Sequence, residues 1–344
     1  MSLQATILKL LLKLPAGMKI KMSGGEPLVL GGRTLDPTFQ FIAHGAAKQP
    51  PMSSLEPEVA QVASAQGLAM FAGAPERGVN WTDTTIPSRG THEIPVRIYT
   101  PEHQNSDAPM MTYYHMGGGV IGDLETCHTF CQMLSVTAKC PIISVDYRLA
   151  PQHKFPAGLN DCVDAYEWTL KNAEKHGAPA GHAAIGGDSM GGNFAAIIAQ
   201  EMLENDKPVP DLQLLIYPAT DMAAEFPSYE TYGSAYPLST DTMNWFMDQY
   251  LPEGFDRADL RLSPGQAPRL EGLPPAIITT AGFDPLVDDG AAYAKKLEAA
   301  GVEVTHKCYD SLAHGFTAFT AVSPAARAAC QEITEMVRDA YAKL

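Results

Sequence analysis

From about residue 110 onward the chain repeats one pattern, a short apolar run followed by a longer stretch with helical periodicity. The runs are PMMTYY, CPIISVDY, AAIGGD, LQLLIYP, PAIITTAG and VEVTHKCY, and the helical stretches lie near 125–138, 158–176, 190–204, 286–300 and 324–342. Alternation of this kind predicts an α/β fold, with a mostly parallel central sheet and helices on both of its faces. Ligands of such sheets bind outside the carboxyl ends of the strands. The residues just after each run are therefore the place to look for chemistry.

Other segments break the pattern. VNWTDTTIPSRGTHEIPVRIYTP alternates and turns at SRGT, which predicts an antiparallel hairpin. Residues 1–75 read as mainly helical, with breaks at SGGEP and KQPPMSS. Within them LQATILKLLLKLPAG has Leu8, Leu11 and Leu12 on one face and its lysines elsewhere. It is expected to be an amphipathic helix docked on the body of the protein, not an export signal. Residues 222–258 are rich in aromatics and helical from Asp241 to Tyr250, which suits either a lid or a packed surface insertion.

The formal net charge is -15, which argues against nucleic acid or an anionic membrane surface as partner. No apolar stretch reaches the ~20 residues of a membrane span. Cys127, Cys131, Cys140, Cys162, Cys308 and Cys330 form no CxxC pair and read as reduced, mostly buried thiols in a cytoplasmic protein. A metal site is not expected.

AAIGGD runs into Ser189 and then into a helix, and GDSMG at 187–191 matches G-x-S-x-G. A sharp strand-to-helix turn with small residues on each side exposes the hydroxyl beside a helix N-terminus. A serine nucleophile needs a base. Only His306 and His314 follow it in the chain. His306 lies within a strand, whereas His314 lies beyond that strand, in SLAHGF, where it could reach Ser189. The base needs a partner carboxylate. Asp284, just after PAIITTAGF, ranks first, although Asp before Pro285 is also a good helix cap. Asp310 ranks second, and Asp288 and Asp289 fall within the following helix.

Attack by Ser189 on an acyl carbon creates an oxyanion, which needs backbone N–H donors. One comes from the residue after the nucleophile, Met190. Others come from a glycine loop after an earlier strand, and YYHMGGGVIGD at 113–123 is such a loop.

In this arrangement the chain resembles the hormone-sensitive-lipase-like family of α/β-hydrolases, chiefly its bacterial carboxylesterases. The resemblance rests on HMGGGVIGDLET, VDYRLAPQHKFPA, GGDSMGGN, LPPAIITTAGFDPLVDDG and HGF, in that order, and runs from about 90 to 325. It implies an α/β-hydrolase fold, a small-molecule ester of short acyl length as substrate and no cofactor. It also implies a helical cap from residues 1–75 and roughly 222–258 over a catalytic domain of 76–221 and 259–344. The family's triad falls on Ser189, Asp284 and His314. Counting from His115, its oxyanion donors fall on Gly117, Gly118 and Met190.

The sequence departs from the family pattern at several places. Met116 stands where the first glycine is usual, Gly119 where an aromatic is usual, and Met190 where alanine is frequent. Met116, with φ below zero, and Met190 are expected to refill the space beside Gly119 and border the acyl pocket, with Asp188 and Gly119 as further pocket residues. Gln152 replaces the usual acid. Two alternatives to ester hydrolysis are an amidase or acyltransferase with the same triad, and a ligand receptor on an inactive scaffold. The physiological ester, its stereochemistry and any homo-oligomer are not legible.

Overall fold

The computed structural model describes residues 3–344, with side chains from residue 7 onward. The N-terminal segment holds α1 (Leu3–Leu12), α2 (Ala16–Met22), α3 (Pro37–Ala46) and α4 (Pro57–Phe71). It also holds a small antiparallel hairpin that the helical reading did not foresee, β1 (Val29–Leu30) with β2 (Arg33–Thr34). Two residues per strand carry too little periodicity to register in a sequence. Leu12 of α1 is buried, as the docked-helix reading requires, and α1 packs against α4.

β3 (Val79–Pro87) and β4 (Glu93–Pro101) form the expected hairpin. The alternation follows as β5 (Met110–Tyr114), α5 (His128–Ala138), β6 (Ile142–Val145), α6 (Ala157–Asn172), β7 (Ala183–Asp188), α7 (Met190–Glu204) and β8 (Gln213–Ile216). After α8 (Pro227–Thr231) and α9 (Thr240–Tyr250) it resumes with β9 (Ala276–Phe283), α10 (Val287–Ala299), β10 (Val304–Ala313) and α11 (Pro324–Tyr341). The eight-stranded sheet has the order β10-β9-β8-β7-β5-β6-β4-β3, antiparallel only where β4 meets β3 and β6.

The central strands are buried along their whole length because helices cover both faces. Successive side chains then feed two different cores. Met110, Tyr114, Ile185, Leu215 and Ile278 join Leu159, Phe194 and Leu297 of α6, α7 and α10. Met111, Tyr113, Ala184, Leu214 and Ile277 join Phe130, Leu134, Ile333 and Val337 of α5 and α11.

Two additions lie over the carboxyl ends of these strands. The N-terminal helices are tied down through Phe319, whose ring meets Phe39 at 5.1 Å and Phe71 at 4.9 Å. The 222–258 insertion starts on the sheet's own machinery, where Ser228 N–H donates to Asp288 at 2.9 Å. Gln152 also acquires a place here. Its amide donates to Glu58 at 3.2 Å and its oxygen accepts from Gln61 at 3.2 Å, both on α4. An acid at 152 would face Glu58 instead.

Candidate active site

Ser189 sits at φ 54 and ψ -118 between β7 and α7. That is a strained conformation for a residue with a side chain, and it turns the hydroxyl out of the helix that follows. The flanking glycines are required by contact. A Cβ on Gly187 would lie 2.3 Å from the Gly191 carbonyl carbon, and one on Gly191 would lie 2.0 Å from the Tyr114 carbonyl oxygen. The nucleophile turn is thus wedged against the end of β5.

His314 Nε2 lies 2.8 Å from Ser189 Oγ, and His314 Nδ1 lies 2.7 Å from Asp284 Oδ2. With the Nδ1 proton donated to Asp284, Nε2 is free to accept from the serine hydroxyl. Asp284 is fully buried and serves two ends: its Oδ1 accepts the Leu286 N–H at 2.9 Å. Helix cap and histidine partner, set against each other in the sequence, are one carboxylate in the fold.

The competing residues lie elsewhere. Asp310 is exposed and pairs with Arg33 at 3.0 Å. His306 is exposed on β10, 3.5 Å from Thr280 Oγ1. Asp288 caps the insertion, and Asp289 accepts the Thr220 N–H at 2.8 Å. The six cysteines are unpaired. Among the described residues, no three His, Cys, Asp or Glu side chains converge as metal ligands.

A cavity of about 1670 Å³ reaches Ser189 and His314, with Met116, Gly117, Gly118 and Met190 in its wall. Among the described residues, no backbone or side-chain acceptor takes the amides of Gly117, Gly118 and Met190. Met116 is not among the residues with positive φ, and its sulfur lies 3.2 Å from where a Gly315 Cβ would stand. Its side chain therefore lies beside the residue that follows His314.

Two pocket expectations are corrected. Gly119 is absent from the cavity wall. A Cβ there would lie 2.7 Å from the Tyr250 ring. The aromatic bulk expected at 119 is supplied by Tyr250 of α9, not by the methionines. One turn earlier Phe246 lies on Gly118, 2.4 Å from its hypothetical Cβ, and this ring does line the cavity. The spacing of Phe246 and Tyr250 on a helix was a signal for this contact, but nothing local says which surface they meet.

Asp188 also lies outside the cavity wall. Its Oδ2 accepts from Tyr217 Oη and Thr317 Oγ1, each at 2.9 Å. Burial raises this carboxyl above the ordinary range, and the Thr317 and Tyr217 hydroxyls oppose the rise. Asp188 thus ties the nucleophile turn to the segment just after His314.

His115 anchors the glycine loop from inside. Its ring stacks on Tyr147 at 4.2 Å, and Nδ1 lies 2.8 Å from the Met116 carbonyl oxygen, to which it donates. Full burial lowers its pKa from 6.5 to about 4. Between those values the unfolded chain binds the proton and the folded chain does not, so stability rises with pH across that window and is lost as pH falls through it. The loss is on the order of 3 kcal/mol. Melting temperatures measured from neutral to acid pH should fall steeply below about 6.5 in the native protein and less steeply in His115→Gln. Equal slopes would place the acid sensitivity elsewhere.

A serine, a buried aspartate and a histidine in this chain order, at the carboxyl edge of a mostly parallel sheet, define the α/β-hydrolase class. The family model described as alpha/beta hydrolase fold matches residues 111–318. Carboxylic ester hydrolase LipN of Mycobacterium tuberculosis is 37% identical over 96% of this chain and 89% of its own length. Ethyl acetate hydrolase of Pseudomonas putida is 37% identical over 79% of this chain and 86% of its own. Among solved structures, an ester hydrolase from the metagenome of Lake Arreo, bound to a bipyridine phosphonate derivative, superposes with a TM-score of 0.82. It is 37% identical and covers 87% of this chain and 95% of its own. This chain belongs to the hormone-sensitive-lipase-like family of α/β-hydrolases.

Proposed function

We propose that Ser189, His314 and Asp284 hydrolyse carboxylic esters of short acyl length through a covalent acyl-enzyme. That the chain is a carboxylic ester hydrolase follows from its family and from relatives at 37–40% identity. The roles of its residues are our reading. It is carried by one observation, the chain of hydrogen bonds from Asp284 through His314 to Ser189 at the wall of the cavity.

Ser189 Oγ attacks the ester carbon while His314 Nε2 takes its proton. The Asp284 carboxylate stabilises the imidazolium that forms. The Gly117, Gly118 and Met190 amides, without acceptors of their own, receive the oxyanion, and each such donor can lower the barrier by ~3 kcal/mol. His314 then protonates the leaving alcohol. Water, deprotonated by the same imidazole, releases the acid and restores Ser189. An amidase or acyltransferase would use the same steps with another leaving group or acceptor, but the relatives that match are ester hydrolases.

The alcohol must leave past His314, toward Gly315, Phe283 and Phe319. The acyl group then lies on the other side, toward Gly118, Met190 and Phe246, all of which line the cavity. Phe246 lines the cavity against Gly118, and we assign it the acyl-length limit. The N-terminal helices and the 222–258 insertion both line the cavity and act as the cap in this reading.

Aryl esters from acetate to palmitate test the proposal. Rates should peak at short acyl groups and fall with length. Phe246→Ala should raise the octanoate-to-acetate ratio of kcat/KM by about tenfold, the order expected from opening a pocket by a few methylenes. Rates that climb from hexanoate to palmitate in the native enzyme would contradict the short-chain assignment. An unchanged ratio in Phe246→Ala would remove Phe246 from it.

A further inference from the structure

Among the described residues, every exposed large apolar side chain except Trp81 and Leu344 lies between Ile7 and Val62. Six of them come in pairs one helical turn apart. Ile7 and Leu10 share a face of α1, Met18 and Met22 of α2, and Val59 and Val62 of α4, with Leu28 and Val29 at the small hairpin. These elements already have inner contacts. Leu12 of α1 and Ala60 and Phe71 of α4 are buried, and Lys19 of α2 donates to Thr38 Oγ1 at 2.6 Å. The outer pairs are a second apolar face that the fold does not use. A soluble monomer rarely leaves so many in one region unless the region binds something.

The charge of the same region identifies the partner. Lys9, Lys13, Lys19 and Lys21 precede the first acidic residue, Glu26, in a chain of net charge -15. Of these, Lys13 and Lys21 are exposed, whereas Lys9 donates to the Ala72 carbonyl at 2.8 Å and Lys19 is buried. The overall charge, which argued against a membrane partner, is an average over a surface that is not uniform. We propose that the outer face of α1, α2 and the adjoining hairpin docks on an anionic lipid bilayer. Ile7, Leu10, Met18 and Met22 enter the headgroup boundary, and Lys13 and Lys21 meet lipid phosphates. The protein lies on the bilayer: among the described residues no helix is long and apolar enough to cross one. Leu28 is both 39% exposed and part of the cavity wall, so the docked face adjoins the route to Ser189. The docking goes beyond the esterase reading and does not require it.

Flotation with phosphatidylcholine vesicles, and with vesicles of equal parts phosphatidylcholine and phosphatidylglycerol, tests this directly. The full chain should bind the anionic vesicles at least roughly tenfold more tightly, and salt should weaken the binding. Leu10→Glu combined with Met22→Glu should abolish it. The melting temperature and the rate on a water-soluble ester without vesicles should stay as in the native chain, since neither residue lines the cavity. No binding to either vesicle, or equal binding to both, would overturn the proposal. So would a native dimer in vesicle-free buffer that the double substitution converts to monomer, which would make the face a subunit interface.

Discussion

Ser189→Ala should lower kcat by at least about 10⁴-fold, and His314→Ala should do nearly the same. The two side chains form one proton path, with Nε2 2.8 Å from Oγ, so removing either end removes the path. The double substitution should therefore cost little more than one of them. KM should change far less than kcat, because the cavity walls that hold the substrate are untouched. Rapid quenching with a slow ester should trap an acylated native chain and no acylated Ser189→Ala chain. His306→Ala serves as the control, exposed on β10 and remote from this path. Turnover near the native rate in His314→Ala, or a collapse in His306→Ala, would reassign the base.

Asp284→Asn should cost on the order of 10⁴-fold in kcat, a large effect for an exchange of one atom. Asn can still accept the Leu286 N–H that Asp284 Oδ1 now accepts at 2.9 Å, so the start of α10 should survive. Its amide nitrogen would then face His314 Nδ1, which must become the acceptor. The ring proton moves to Nε2, where it points at Ser189 and blocks proton uptake. Asp310→Asn breaks only an exposed pair with Arg33, worth at most about 1 kcal/mol, and should leave kcat within about threefold. Native-like melting in both variants, with activity lost only in Asp284→Asn, is the expected pattern. The opposite pattern would make Asp310 the partner of the histidine.

Much of this was legible because it depends on neighbours in sequence. The alternation of apolar runs with helical stretches reports strands covered on both faces, and the small residues around Ser189 report a turn too tight for side chains. The positions of His314 and Asp284, each just beyond a strand, follow from the rule that loops at one edge of such a sheet converge.

The remainder depended on which distant surfaces meet. Whether Asp284 caps a helix or holds a histidine could not be separated in the sequence, and the folded chain has it do both through different oxygens. Asp188, beside Ser189 in sequence, proved to face inward to Tyr217 and Thr317, because it is the last residue of a strand buried along its whole length, whereas Ser189 stands in the turn beyond it. Read in the sequence as an oxyanion donor and a pocket residue, Gly118 and Gly119 gain a second reason to be bare from α9, more than a hundred residues later in the chain, which lays Phe246 and Tyr250 on them. The sequence by itself determined the sheet, the nucleophile turn and the candidates for proton transfer, since backbone preference and hydrophobic period act over a few residues. The tertiary structure alone decided which aromatics lie on the bare glycines and which apolar faces are left uncovered, since those are set by packing between segments whose separation no local pattern encodes.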